Sequence, residues 1–399
     1  MSGKYLEAQS LDRKDPLSAR VDGYAVGPFI QLNGNSLGPP RNGVLHDLER
    51  AVHEQWSRRH VQAWFADGWL ELPRVIGDRI GSLLGARSGQ VVVPGDTTST
   101  TLFNAVMAAC GLRPERSVLL VEAESFPTDL YIAASVARLT NRRFVTVTAR
   151  GLDAALEEYG TEVATIVVSP VDFRTGELRA IGAITERCHA VGAIAVWDLS
   201  HAAGVLPIEV DENQVDLAVG CGYKYLGGGP GAPAYLYVAD RLQQTVEFPL
   251  AGWHGHAAPF EMSARFDPAR GIDRGRTGTP PVLSLVALNH ALDPLVQAGP
   301  EDLWRRSRSL SEFFLACLEE RPELASLLVS PRDPDRRGGH LALRIPGAER
   351  VESALAHRGV LVDSREPDLI RVAFAPLYVT HSQVWQAAQA LDKVVKEMR

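Results

Sequence analysis

The chain has 399 residues, 45% hydrophobic and 22% charged, the composition of a globular protein with core enough for one large domain and a smaller one. Its formal charge of −7 leaves no basic excess to hold nucleic acid or anionic lipid. No apolar run approaches the ~20 residues of a membrane span, the first residues are too polar for a signal peptide, and a cytoplasmic location is expected.

In chain order, residues 1–30 read as a polar lead-in. Residues 31–40, QLNGNSLGPP, are turn chemistry, with glycine and asparagine free to bend where backbone approaches a ligand or partner. An amphipathic helix is expected over 44–58, and Trp64, Phe65 and Trp69 then follow so densely that they suit a core or an interface. A first strand over 90–93 runs through a row of hydroxyl residues, 97–101, into a helical pattern. Hydroxyls and free N–H groups at a helix N-terminus bind anions, which makes Thr98 and Ser99 candidates for a phosphate; plain N-capping is the competing reading.

The strand pattern over 118–122 leads into SFPTD at 125–129, so Phe126 and Asp129 fall at one sheet edge, Phe126 free either to stack on a flat ring or only to pack. A strand over 163–169 brings Ser169 to the same edge. Short apolar strands alternating with helical stretches from 90 to 220 predict an α/β domain with a mostly parallel sheet. Ligands of such sheets bind beyond the carboxyl ends of the strands.

Two further apolar runs, 193–197 and 215–219, deliver Asp198 and Lys224 to that edge. A lysine there can form an imine with the aldehyde of pyridoxal 5′-phosphate, while a carboxylate keeps the pyridine nitrogen protonated. At ~4 Å and an effective dielectric of ~20 such a pair is worth about 4 kcal/mol, enough to keep the ring charged. Singly, Asp198 reads as a helix cap and Lys224 as a solvated loop residue. The order of strand, Asp198, His201, strand, Tyr223, Lys224 and glycine-rich loop points to the cofactor.

A strand over 234–238 follows, and then two irregular segments, 252–256 and 274–281, rich in donors and glycine and suited to loops that complete a site, from a second subunit included. From about residue 300 the pattern reads helix, strand, strand, helix, strand, strand, helix, a smaller α+β domain. Its informative residue is Arg371, inside the apolar run 369–374. A buried arginine is paired, here with an internal carboxylate or with that of a substrate.

These residues carry a resemblance to the kynureninases, pyridoxal phosphate enzymes of fold type I. The matching stretches are LNGNSLGP at 32–39, DTTSTTLFN at 96–104, SFPTD at 125–129, WDLSHAAG at 197–204, CGYKYLGGGPG at 221–231, GWHGH at 252–256, GTPP at 278–281 and IRVAFAPLY at 370–378. The resemblance implies a fold type I α/β architecture, with an N-terminal arm over 1–45, a large cofactor domain over 46–290 and a small α+β domain over 291–399. It implies that Lys224 carries the cofactor, Asp198 pairs with its pyridine nitrogen, and Thr98, Ser99, Tyr223 and Trp253 surround the phosphate. Phe126 would stack on the ring, with Asp129, Ser169 and His201 completing the shell. Trp253 and Thr279 would enter from the partner of a homodimer, and Arg371 would grip the substrate carboxylate.

The implied reaction is hydrolytic cleavage of the Cβ–Cγ bond of kynurenine to anthranilate and alanine, with Lys224 and Asp198 catalytic and Tyr223 relaying a proton. Asn35, Trp64 and Gly278 would line the substrate site, and Trp64, Gly278 and Thr279 match the bacterial type that prefers the unhydroxylated ring. The chain departs from the family pattern at Gly222, Gly227, His254, Gly275 and Val379, which bears on the ring accepted rather than on the reaction. A cysteine desulfurase, the alternative on this scaffold, needs a thiolate on a mobile loop. The flexible stretch 331–339 holds no cysteine, and Cys110, Cys188, Cys221 and Cys317 are scattered without the paired spacing of a zinc site or disulfide framework. A non-catalytic relative would be expected to lack Lys224 or Asp198.

Overall fold

A computed structural model describes residues 3–398. The expected lead-in contains a helix, α1 (Gly3–Lys14), in which only Ala8 is buried, so no apolar stripe announces it. β1 (Ile30–Gln31) follows. The helix expected over 44–58 is present as α2 (Val44–Arg50), continued by a π-helical segment, Ala51–Trp56. α3 (Leu72–Leu84) buries Ile76, Ile80, Leu83 and Leu84, the spacing of one helix face.

The βα alternation builds the central sheet. Its elements run β2 (Val91–Val92), α4 (Thr98–Gly111), β3 (Val118–Glu122), α5 (Pro127–Leu139) and β4 (Arg143–Val147). α6 (Leu152–Tyr159), β5 (Val163–Val168), α7 (Ile181–Ala190), β6 (Ile194–Asp198), β7 (Leu217–Gly220) and β8 (Tyr235–Val238) complete it. Among the described residues the sheet has seven strands in the order β2-β8-β7-β6-β5-β3-β4. β8 runs antiparallel to both neighbours and every other pairing is parallel. β3, β5, β6 and β7 therefore end at one edge, and the register sets Asp198 level with Val219. All residues of β3, β5 and β6 are buried, as strands covered on both faces must be.

The C-terminal part begins with α8 (Val282–Ala298) and α9 (Pro300–Glu319). A boundary between 290 and 291 would cut α8, and we propose the division at Gly299, where φ is +79°. The remainder corrects the expected order. One strand, β9 (His340–Arg344), precedes α10 (Ala348–Ala356), and three follow: β10 (Val360–Leu361), β11 (Asp363–Arg365) and β12 (Leu369–Ala373), before α11 (His381–Glu397). Before β9, Leu328 makes only an isolated bridge to Leu343. β11, β12 and β9 form an antiparallel sheet, while β10 leaves it to pair with β1. α1 docks on α11 through the Tyr5–Trp385 ring contact and through Asp12, which accepts from the backbone of His381 and Ser382.

Candidate active site at the carboxyl edge of the sheet

Lys224 stands four residues beyond the end of β7. Its Nζ lies 3.0 Å from His201 Nε2, 5.8 Å from the centre of the Phe126 ring and 6.0 Å from that of Tyr223. The chain holds five lysines. Lys4 and Lys14 lie on α1, and Lys393 and Lys396 on α11, so Lys224 alone serves the central sheet. Phe126 keeps 41% of its surface exposed while its edge meets Phe173, which leaves a ring face open beside the amine.

Asp198 is the last residue of β6 and is buried. Its Oδ1 accepts from Ser200 N–H at 2.9 Å and Ser200 Oγ at 2.5 Å, a local turn and not the helix cap of the competing reading, since turns and no helix follow over 199–206. Its Oδ2 has no protein donor among the described residues. Ser169 Oγ donates to the Asp198 carbonyl at 3.1 Å and so braces the strand end rather than the carboxylate. Asp129 is also buried, and its Oδ2 has no partner. Burial and the charge of Asp198 push the Asp129 carboxyl well above its ordinary range, against the pull of Lys224. Two buried carboxylates stand here against one lysine, an arrangement that favours a further cation beside them.

At the N-terminus of α4 the cap is Thr97, whose Oγ1 accepts from Thr100 N–H at 3.3 Å. Thr98 and Ser99 thus occupy the first helical turn with no capping task. They line a cavity of about 490 Å³ together with Tyr223 and Pro281. Free N–H groups, two hydroxyls and the helix dipole give its floor the chemistry that attracts an anion. Burial pushes the Tyr223 hydroxyl up, so it stays neutral and able to donate.

Arg371 is fully buried and holds an internal ion pair. Nε and Nη2 bind the two oxygens of Asp363 at 2.7 and 2.5 Å, Nη1 donates to the Phe173 carbonyl at 2.5 Å, and Nη2 reaches Ser36 Oγ at 3.1 Å. With its amide turned so that the oxygen faces the guanidinium, the orientation the surrounding donors require, the Asn35 side chain accepts from Nε and Nη2 at 3.3 Å. Arg365 Nη2 approaches the same Asp363 at 3.3 Å, so two guanidinium groups share that carboxylate, with Glu352 a second negative charge acting on Arg365. Asp363 was missed in the sequence; its facing position depends on the β11–β12 register, which pairs it with Arg371.

The remaining expected residues do not meet Lys224 within this chain. Trp64 packs edge-on against Trp69, Trp253 is 39% exposed against His254 and Phe260, and Gly278 and Thr279 are exposed. Thr277, just before them, bonds Asp96 at 2.7 Å, which ties this loop to the approach to α4. His254 is buried with Nδ1 3.2 Å from Arg276, and burial beside that arginine pushes its pKa down to about 4. Two departures from the family pattern have a steric reason. A Cβ on Gly222 would stand 2.6 Å from the Pro233 carbonyl, and one on Gly275 2.7 Å from Leu236. At Gly227 the φ of +69° is one that asparagine tolerates among non-glycine residues.

The fold and this site define a fold type I pyridoxal phosphate-dependent architecture. A cysteine desulfurase from Thermococcus onnurineus superposes with a TM-score of 0.77 at 19% identity, covering 98% of both chains. One from Escherichia coli gives 0.79 at 19%, over 96% of this chain and 98% of that one. The sequence narrows the class. The kynureninase of Deinococcus radiodurans is 39% identical over 98% of this chain and 96% of its own length, and that of Pseudomonas fluorescens 36% over 97% and 94%. Residues 303–391 match the kynureninase C-terminal domain. The chain belongs to the kynureninase family.

Proposed function

We propose that this protein is a pyridoxal 5′-phosphate-dependent hydrolase that cleaves the Cβ–Cγ bond of L-kynurenine to anthranilate and L-alanine. The observation that carries the reading is Lys224, the one lysine at the sheet edge, set between His201 and an open Phe126 ring. The residues fit the cofactor: an anion-binding floor at Thr98 and Ser99, an unpartnered Asp198 Oδ2, and a buried carboxyl at Asp129 whose strain a pyridinium relieves. When bound, the cofactor supplies an aldehyde that captures the substrate amine and a ring that accepts the released electron pair.

This chain's residues do the rest. Lys224 Nζ takes the α-proton and returns it, and Asp198 holds the proton on the ring nitrogen. Water adds to the γ-carbonyl, the Cβ–Cγ bond breaks to release the acyl group as anthranilate, and Tyr223 relays a proton to Cβ, which becomes the methyl group of alanine. Arg371, with one Nη1 hydrogen beyond those already engaged, and Arg365 beside it receive the substrate carboxylate, next to Asn35. The wall offered by Trp64 is apolar, and apolar walls discriminate by only ~1 to 3 kcal/mol, so unhydroxylated kynurenine is preferred by roughly ten- to a hundredfold over the 3-hydroxy form.

We propose a homodimer, and an exposed apolar patch supports it. Trp56, Val61, Phe65, Phe260 and Met262 are each more than half exposed, and the Phe65, Phe260 and Trp253 rings touch. Such a patch marks an interface, through which Trp253, Gly278 and Thr279 reach the partner's Lys224 cleft. Among the described residues no helix is long and apolar enough to cross a membrane, and the four free cysteines are buried, which suits the cytoplasm. The same burial speaks against desulfurase chemistry, since it pushes the Cys317 thiol up to about 11, the reverse of what a nucleophile needs.

Incubating the cofactor-loaded protein with kynurenine, 3-hydroxykynurenine and cysteine in parallel tests the reading. Anthranilate fluorescence with matching alanine is expected, at higher kcat/KM for kynurenine. Sulfide from cysteine without anthranilate would refute it.

A further inference from the structure

The turn beyond β5 joins the two ends of the site. Val171 and Leu178 pair as an isolated antiparallel bridge, and Asp172 closes the turn between them: its N–H donates to the Glu177 carbonyl, its carbonyl accepts from Gly176, and its Oδ1 accepts from the N–H groups of Arg174 and Thr175 at 2.8 and 2.9 Å. Phe173 is buried within this turn and works in two directions. Its carbonyl accepts from Arg371 Nη1 at 2.5 Å, and its ring stands edge to face with that of Phe126, the centres 5.3 Å apart and the planes at 84°.

The turn is held from both sides. From the C-terminal part of the chain, Gly338 N–H donates to the Gly176 carbonyl at 2.7 Å and Ser330 Oγ to the Thr175 carbonyl at 2.5 Å, while Leu178 N–H donates to the Arg336 carbonyl at 3.0 Å. Gly176, at φ +74°, leaves no room for a Cβ beside the His340 carbonyl. From the central sheet, Glu122 at the end of β3 pairs with Arg179 Nε at 2.8 Å, on the strand that leads to Phe126.

Phe126 itself is 41% exposed, so little else limits its tilt. One edge-to-face pair favours a single ring orientation by roughly two- to twelvefold. A substrate gripped by its carboxylate at Arg371 and a cofactor ring lying on Phe126 react only at one mutual angle, and small misalignments are costly in rate.

We propose that Phe173 is a positioning residue that sets this angle: its main-chain carbonyl orients Arg371, and its ring orients Phe126. It acts through those two side chains rather than on the reacting atoms. The proposal rests on the reading above, in which Phe126 covers the cofactor ring and Arg371 takes the substrate carboxylate.

The test is a double-mutant cycle on the cofactor-loaded protein, comparing the parent, Phe173→Leu, Phe126→Leu and the double variant. Phe173→Met, close in volume, replaces Phe173→Leu should the latter fail to fold. The visible circular dichroism per bound cofactor reports the orientation of its ring, and titration gives the cofactor Kd. Phe173→Leu should lower the dichroism by about half and raise Kd about fivefold, the loss of one edge-to-face pair, but should change neither when Phe126 is already Leu. With kynurenine, kcat should fall about tenfold at a KM within about twofold of the parent, because the main-chain carbonyl stays on Arg371. Parent-like dichroism and Kd in Phe173→Leu overturn the proposal. So does an equal loss in both backgrounds, which is what general packing would give, or a KM raised more than kcat is lowered. Absence of anthranilate from a parent that holds the cofactor would sink the kynurenine reading and leave the dichroism cycle to decide this one; a parent that holds no cofactor overturns both.

Discussion

The two charged clusters of this protein are finished to different degrees. Around Arg371 every guanidinium nitrogen has a partner, with Asp363, Ser36 and the Phe173 carbonyl holding the fork in one orientation. Around Lys224 the opposite holds: Asp198 Oδ2 is open, and Asp129 Oδ2 and His201 Nδ1 are buried without partners. The saturated cluster holds its geometry through its own bonds, and the unsaturated one carries the polar atoms that, on the proposed function, would bond the cofactor. Both sit where β-structure delivers them, one at the carboxyl edge of the large sheet and one on the hairpin of the small sheet.

Breaking the open cluster should cost activity more than stability. Lys224→Ala is expected to bring turnover to background and to abolish the visible absorbance of bound cofactor, while the thermal midpoint of the apo-protein stays near that of the parent. Asp198→Ala comes next. Loss of a pyridinium partner worth about 4 kcal/mol corresponds to about a thousandfold in kcat, with cofactor still retained. Near-normal α-proton exchange in that variant would reduce Asp198 to the cap of its turn with Ser200.

The saturated cluster should behave in the reverse sense. Asp363→Ala leaves a buried guanidinium without its carboxylate and is expected to lower stability by about 3 kcal/mol in denaturant titration, with KM raised more than kcat is lowered. A variant of parental stability would mean that the pair is dispensable to the fold. The smallest effect lies far from both clusters. Burial raises the Asp12 carboxyl, but hydrogen bonds from His381 and Ser382 prevail and bring it down to about 2. A carboxyl lowered on folding stabilises above its unfolded value of 3.8 and loses that contribution as the pH falls through about 2. The gap between parent and Asp12→Asn should be ~1 kcal/mol at pH 7, after allowance for partial exposure, and should close near pH 2.

How much of this could be read in the sequence depended on where each residue's partner lies along the chain. Lys224 and Asp198 were legible because a buried strand that ends in a polar residue, or runs into a short glycine-containing turn before one, is a local pattern, and the sheet edge follows from it. The capping residue was not. In a run of five hydroxyl residues the phase of the helix start decides that Thr97 caps while Thr98 and Ser99 remain free, and that phase is set by packing of α4 on the sheet. Asp363 and Arg371 meet across a hairpin whose register no short pattern declares. α1 escaped notice because its attachment is polar, through Asp12, and its own sequence buries only Ala8. His340 looked like any residue at a strand start; only three-dimensional burial reveals that both its nitrogens lack partners.

The most direct test of the claim that the open cluster holds the cofactor is reductive trapping. Treating the cofactor-loaded protein with borohydride and mapping the modified peptide by mass should find one phosphopyridoxyl group per chain, on Lys224. Modification at Lys4, Lys14, Lys393 or Lys396 instead, or none at all after loading, would contradict it.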